Sequence, residues 1–326
     1  TRSCGECRRE LKPWSEFELR QLALAIEWEG SIGVYESERG RSGAYHSPRI
    51  VIGMLSSSES VLQHIQNLAG AGTVGPAFRT KAERRGEMSQ WQLVGPDASA
   101  LAGALVPFFV TKYEQALAVA NYPHGSKLKT VSDDTFEQRH QLALKTAELN
   151  QTGPKAPPLE SEERASQWCA AIKKMPVEQK ATLLALTIDL EGCISARTRS
   201  EKYVSSSASV SQAKRRASLL TIVQALAGGG EIHNANAGND TLDATLCWSV
   251  CSTAEVSRVS SAIEPFLILK SKQASLVSTL QSDKSPTAVV QQVQRLNRKS
   301  TPHDLGPEFD KWLRALELPE QFEVEF

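Results

Sequence analysis

The sequence lacks several things, and each absence narrows its class. No run of eighteen apolar residues occurs, which excludes a membrane-spanning helix. No secretory leader is recognisable at the start. Cysteine is sparse, six in 326 residues, and the expectation is reduced thiols in an intracellular, reducing compartment. Cys4 and Cys7 form a C-x-x-C, but a zinc site of that kind needs a second pair. Cys247 and Cys251 are the nearest candidates, and they sit in a strand-like stretch far along the chain. Charge excess is missing too, with 37 basic residues against 37 acidic. Neutrality counts weakly against nucleic-acid binding, since such domains are usually basic, so the local distribution of charge has to decide.

The length favours two domains over one, and a hydrophobic fraction of 40% is enough for real cores. The most informative feature is internal similarity. "LALAIEWEG" at 22–30 returns as "LALTIDLEG" at 184–192, and "PFFVTKYEQA" at 107–116 returns as "PFLILKSKQA" at 265–274. Glu29 precedes Lys112 by 83 positions and Glu191 precedes Lys270 by 79. Two motifs recurring in order at nearly equal spacing mark a duplicated unit. In each copy the first motif reads as a helix ending in Glu-Gly. A carboxylate in that last turn faces the negative end of the helix dipole, a cost of roughly 0.3–1 kcal/mol, so its presence twice asks for a reason.

Each copy reads as α-β-β-α-β-β-α. Ser15-x-x-Glu18 is a capping-box start for the first helix, and Pro176 suits the first turn of its counterpart. Strands are expected at 31–36 and 46–55, and at 193–199 and 203–212. Helices follow at 58–70 and 215–227. "SQWQLVG" and "TLCWSVC" end a second strand pair, and a last helix carries the Pro-Phe and Lys motif. The expected organisation is an N-terminal extension (1–15), a first repeat (16–124), a partly helical linker (125–178), a second repeat (179–284) and a partly helical tail (285–326). The stretch 152–163, "TGPKAPPLESEE", reads as a polar loop.

These paired motifs resemble the LAGLIDADG homing endonucleases in their single-chain, two-repeat form. The resemblance covers roughly residues 16–122 and 179–282. It implies an α+β fold of two pseudo-symmetric repeats, each with a curved antiparallel sheet, packed through the two signature helices. It implies a site-specific double-strand DNA endonuclease, a phosphodiester hydrolase acting as a monomer, with no membrane and no obligate protein partner. The DNA partner would be an asymmetric duplex of roughly 20 base pairs, about two helical turns. Magnesium is the implied cofactor, with manganese or calcium able to substitute for binding. Glu29 and Glu191 are the implied metal ligands, helped by backbone carbonyls at Trp28 and Leu190. Lys112 and Lys270 match the active-site lysine. Gln212 falls at a water-ordering position, and Ser56 is its counterpart in the first copy. The chain departs from the family pattern at the third motif position, where Leu24 and Leu186 replace glycine. Alanine-sized residues, Ala25 and Thr187, stand next to them.

Base reading in the major groove needs Arg, Lys, Asn, Gln or Ser at alternate strand positions. Ser195, Arg197 and Arg199 alternate, with Lys202 and Lys214 following. The first copy offers Arg39, Arg41 and Arg49, and then Arg79, Lys81, Arg84 and Arg85. The stretch 228–250 contains no Lys or Arg and three acids, so its readout would rest on His233, Asn234, Asn236 and Thr241. The alternative function is a non-cleaving nucleic-acid binder such as an intron RNA maturase. Retention of both acids favours the enzyme. An intein would need a C-terminal His-Asn pair, and the sequence given ends "QFEVEF".

Overall fold

A computed structural model of the chain describes residues 12–38, 44–76, 87–124, 133–152, 159–200, 203–238, 244–280 and 286–297. The first repeat runs α1 (Glu16–Glu29), β1 (Gly30–Glu38), β2 (Ala44–Leu55), α2 (Glu59–Ala69), β3 (Thr73–Pro76), β4 (Met88–Val94), α3 (Pro96–Leu105) and α4 (Tyr113–Ala120). Two connecting helices follow, α5 (Asp133–Thr152) and α6 (Leu159–Lys174). The second repeat runs α7 (Val177–Glu191), β5 (Gly192–Ser200), β6 (Tyr203–Ala213), α8 (Ala217–Ala227), β7 (Glu231–Asn236), β8 (Thr245–Val250), α9 (Thr253–Ile263) and α10 (Ser271–Ser278). Helix α11 (Pro286–Asn297) closes the described chain.

Each repeat carries a four-stranded antiparallel sheet, ordered β1-β2-β4-β3 in one and β5-β6-β8-β7 in the other. The α+β class and the paired sheets are those expected from the sequence. Helix α1 starts at the capping box, where the Ser15 side chain accepts from the Glu18 N–H and Glu18 accepts from the Ser15 N–H. From Gln21 to Trp28 every residue of α1 is buried, and Leu183 to Leu190 of α7 likewise. A helix apolar on all sides belongs in the middle of a core, and α1 and α7 pack against each other there. Leu24 and Leu186 are 1% and 4% exposed, so leucine is accommodated in that interface. The Thr187 hydroxyl donates to the Leu183 carbonyl at 2.9 Å and so leaves no polar group stranded.

Both signature helices turn straight into a strand at a glycine. Gly30 has φ −93° and Gly192 φ −88°, so neither uses the left-handed conformation. Their role is steric. A Cβ at Gly30 would lie 2.7 Å from the Ile26 Cα, and one at Gly192 2.7 Å from the Ile188 Cα. Gly72 and Gly230 differ, since both have φ +92° and both would drive a Cβ into the indole of Trp91 or Trp248. Those buried indoles donate to the Ala71 and Gly229 carbonyls.

Three expectations change. The last helix of each repeat is two helices, interrupted by a 3-10 turn at Val106–Phe108 or Glu264–Phe266, and the lysine lies in the loop that restarts it. Within the stretch read as a loop, 159–163 is the start of α6; residues 153–158 lie outside the described residues. Helices α5 and α11 are more than linker and tail, because each covers the edge strand of a sheet. The Asn150 amide donates to the Ile32 carbonyl at 2.9 Å, and the Asn297 amide to the Ile194 carbonyl at 2.6 Å. An uncovered edge would leave strand backbone unpaired.

Candidate active site

Glu29 and Glu191 end α1 and α7, and both are half-buried. Burial pushes the Glu29 carboxyl above its ordinary range, while the charges of Lys112, Lys270 and Arg216 pull it back. Glu191 is pushed up to about 7, first by burial and then by the negative charge of Glu29. The two acids therefore converge closely enough that one resists the ionisation of the other.

Two positions before each acid lies a second carboxylate, and its role was not read from the sequence. Glu27 and Asp189 are 1% and 2% exposed. Glu27 accepts the backbone N–H groups of Val110 at 2.6 Å, Thr111 at 2.8 Å and Lys112 at 3.2 Å. Asp189 accepts those of Ile268, Leu269 and Lys270 at 2.6, 3.2 and 3.0 Å. Each acid thus caps the N-terminus of α4 or α10 from outside that helix, satisfying donors that would otherwise be orphaned. The Glu-to-Asp exchange between copies was the available signal. It keeps a carboxylate where a purely apolar face would have been expected.

The lysines complete a reciprocal arrangement. The Lys112 ammonium donates to the carbonyls of Ile26, of Glu27 at 3.0 Å and of Gly30 at 2.5 Å. Lys270 donates to those of Ile188 at 2.5 Å, Asp189 at 3.0 Å and Gly192 at 2.9 Å. A cation at the C-terminal carbonyls opposes the helix dipole, and it offsets the unfavourable placement of Glu29 and Glu191. The bonds skip the carbonyls of Trp28 and Leu190, whose side chains are buried. Burial lowers both lysines against the pull of the surrounding acids, and for Lys112 the nearby Arg216 charge adds to it and brings it to about 7.

Around this symmetric centre the repeats differ. Gln212 lies near Glu191, its amide 3.4 Å from the carboxylate. The counterpart of Gln212 is not Ser56. Gly30 pairs with Ile52 and Gly192 with Val210, which sets Met54 opposite Gln212 in the comparison and Ser56 opposite Lys214. Met54 is buried, and the Ser56 hydroxyl lies 3.1 Å from that of Ser89. The sequence alignment was off by two positions, an even shift that preserves strand parity and so leaves the hydrophobic pattern unchanged. In the same frame Arg216 corresponds to Ser58. Arg216 crosses between the repeats, donating to the Glu27 carbonyl with its guanidinium 3.8 Å from the Glu27 carboxylate.

Helices cover one face of each sheet, and the other face is polar. On the second sheet Ser195 pairs with Ser207 and Arg197 with Ser205, all on the open face. His233 shares that face through its pair with Cys247, whereas Asn234 pairs with Leu246 and takes the opposite parity. Asn234 is thus removed from the open-face set, while a bulge returns Asn236 to it, opposite Thr245. Lys214 is exposed just past β6. On the first sheet Arg49 pairs with Val94, and its guanidinium lies 5.7 Å from the Tyr35 ring centre. Gln90 and Gln92 share that face, having paired with Gly53 and Val51, and were not picked out from the sequence. Arg39, Arg41, Arg79, Lys81, Arg84, Arg85, Lys202 and Thr241 lie outside the described residues, as do Cys4, Cys7 and the side chain of Arg199.

No family model matches the chain, and no curated protein matches it in sequence. Solved structures do match in fold. The LAGLIDADG homing endonuclease I-GzeII, in complex with its DNA target, is 14% identical with a TM-score of 0.57, covering 88% of this chain and 99% of that one. I-SmaMI, bound to uncleaved DNA in the presence of calcium ions, is 14% identical with a TM-score of 0.54, covering 85% and 97%. I-LtrWI, a LAGLIDADG homing endonuclease bound to target DNA, is 13% identical with a TM-score of 0.52, covering 88% and 98%. The chain has the two-repeat fold of these proteins.

Proposed function

We propose that the chain is a site-specific double-strand DNA endonuclease. The observation that carries this reading is the pair of acids at the ends of α1 and α7, each backed by a lysine that caps its own helix. Nothing in the packing of a buried helix pair calls for two carboxylates whose charges oppose each other. A divalent cation between them would offset that repulsion. The donors are carboxylate and carbonyl oxygens, which suit a hard ion such as magnesium. Glu29 and Glu191 would hold it, with the Trp28 and Leu190 carbonyls in reserve. When bound, such an ion would stabilise charge on the attacking and leaving oxygens of a phosphodiester.

The chain's own residues bind and orient. The open faces carry Arg49, Gln90 and Gln92 in one repeat and Ser195, Arg197 and Asn236 in the other, types that reach phosphates and base edges in a major groove. Lys214, exposed just past the end of β6, adds a cation beside that face. Gln212, with its amide 3.4 Å from the Glu191 carboxylate, would orient a water there. Lys112 and Lys270 fix the helix ends and supply positive potential. The proposed substrate is an asymmetric duplex of roughly 20 base pairs, about one helical turn per repeat. It would be cut by a monomer in a reducing, intracellular setting.

The decisive experiment is selection for cleavage on a randomised duplex library with magnesium. Recovery of one long, asymmetric site cut on both strands supports the reading. Tight duplex binding without cleavage of either strand, under any divalent ion, would overturn it.

A further inference from the structure

Among the described residues, one group of three side chains lies within ligand range of one another: Glu36, His46 and His140. It stands at the opposite end of β1 from Glu29, seven residues or roughly 20 Å along the strand. Glu36 and His46 are direct cross-strand partners on the helix-covered face of the first sheet. His140 comes from α5, which packs on β1. His46 Nε2 is 3.3 Å from His140 Nδ1 and 3.9 Å from the Glu36 carboxylate, and all three ligand atoms fall within 4.8 Å.

We propose that Glu36, His46 and His140 bind a late first-row divalent ion of the zinc type, which clasps α5 to the β1–β2 hairpin. Two imidazoles and a carboxylate are donors such ions favour over magnesium or calcium. A tetrahedral ion with bonds of about 2.0–2.1 Å sets its ligand atoms about 3.3 Å apart. The two histidines already stand at that separation, and the Glu36 side chain, 49% exposed, can swing in. Its exposure also leaves an entry path and room for water as a fourth ligand. Packing fixes the rings: Phe136 meets His46 edge-on at 5.3 Å and stacks on His140 at 6.5 Å. The neighbouring positive charge is turned aside, since Arg139 donates to the Pro123 carbonyl at 2.8 and 3.1 Å.

The second repeat shows that the fold does not require this cluster. At the corresponding cross-strand pair it has Thr198 and Val204, and Thr287 occupies the place of His140 on α11. Glu36 and His46 come from the first repeat's sheet, and His140 from α5, the helix that begins the connection between repeats.

The test uses the full chain, stripped with a chelator and titrated with zinc against a chromophoric competitor, with cobalt(II) absorption as a coordination readout. The wild type and Glu191→Gln bind one equivalent with the cobalt spectrum of a four-coordinate site. His140→Ala and Glu36→Gln weaken binding at least about tenfold, and zinc no longer raises their Tm. Glu36 is exposed, so its variant keeps the test valid if His140→Ala fails to fold. Absence of binding by the wild type would overturn the proposal. So would undiminished binding by Glu36→Gln, or loss of the equivalent in a Cys4→Ser/Cys7→Ser variant.

Discussion

At the end of α1, Glu27 caps the turn before α4 and Lys112 caps the helix carbonyls; at the end of α7, Asp189 and Lys270 do the same. A few positions away the copies part. Gln212 faces Glu191 where the first repeat has buried Met54, and Arg216 reaches across to Glu27 where the first repeat has Ser58. The difference separates two kinds of constraint. A buried helix end has the same unsatisfied carbonyls and amides wherever it occurs, so both copies must answer it alike. Gln212 and Arg216 answer no such shared backbone demand, and there the copies differ.

The largest expected effect tests the shared part. Glu29→Gln and Glu191→Gln should each lower double-strand cleavage about a thousandfold, equivalent to about 4 kcal/mol of metal-dependent stabilisation, with duplex affinity in a gel shift nearly unchanged. Full cleavage by either variant would remove that acid from the proposed site. Next, Lys112→Met and Lys270→Met should each destabilise the fold by roughly 2–4 kcal/mol, since the carbonyls at that helix end each lose a charged donor. Urea unfolding would measure it, and very unequal costs would break the equivalence of the two caps.

A smaller effect tests the divergent part. Single-strand time courses on end-labelled duplex should show unequal cutting, and Gln212→Met should slow one strand by about tenfold or more if the amide orders the attacking water. Met54→Gln should narrow the gap. Equal strand rates in the wild type would show that the asymmetry has no kinetic consequence.

The smallest effect is one of pH. Folded Glu191 keeps its proton up to about 7, whereas the unfolded chain releases it near the ordinary carboxylate value. Between those values the folded state holds more protons, so stability in chelator falls as pH rises. Lys112, lowered to about 7, acts oppositely above that point, where the unfolded chain holds the extra proton and stability rises with pH. Chemical denaturation across pH 4.5–10 should therefore show a shallow minimum near pH 7. Glu191→Gln should flatten its acidic side, and a persistent slope would place the titrating group elsewhere.

Much of this was legible in the sequence because duplication supplies its own control. The repeated nonapeptide and Pro-Phe…Lys motif located Glu29, Glu191, Lys112 and Lys270, strand alternation located Ser195 and Arg197, and a cluster of basic residues in the first copy included Arg49. What was misread follows a pattern. Ser56 stood in for Met54 because an even register shift leaves periodicity intact. Asn234 was named for base reading together with His233 and Asn236, yet it has the opposite parity to His233, and the bulge that returns Asn236 has no signature in composition. Helices α5 and α11 looked like linker and tail because the work of Asn150 and Asn297 is done on strands more than a hundred residues away.

The sequence alone determined that there are two repeats, that each offers one acid beside a glycine, and that a lysine follows at matched spacing. These are local or periodic properties, and a single chain displays them. Only the tertiary structure decided which backbone groups Glu27, Asp189 and the lysines satisfy, that Arg216 crosses from one repeat to the other, and that Glu36, His46 and His140 meet. Those outcomes depend on which buried donors and acceptors are left over once strands and helices have paired, and that remainder exists only after the chain has closed on itself.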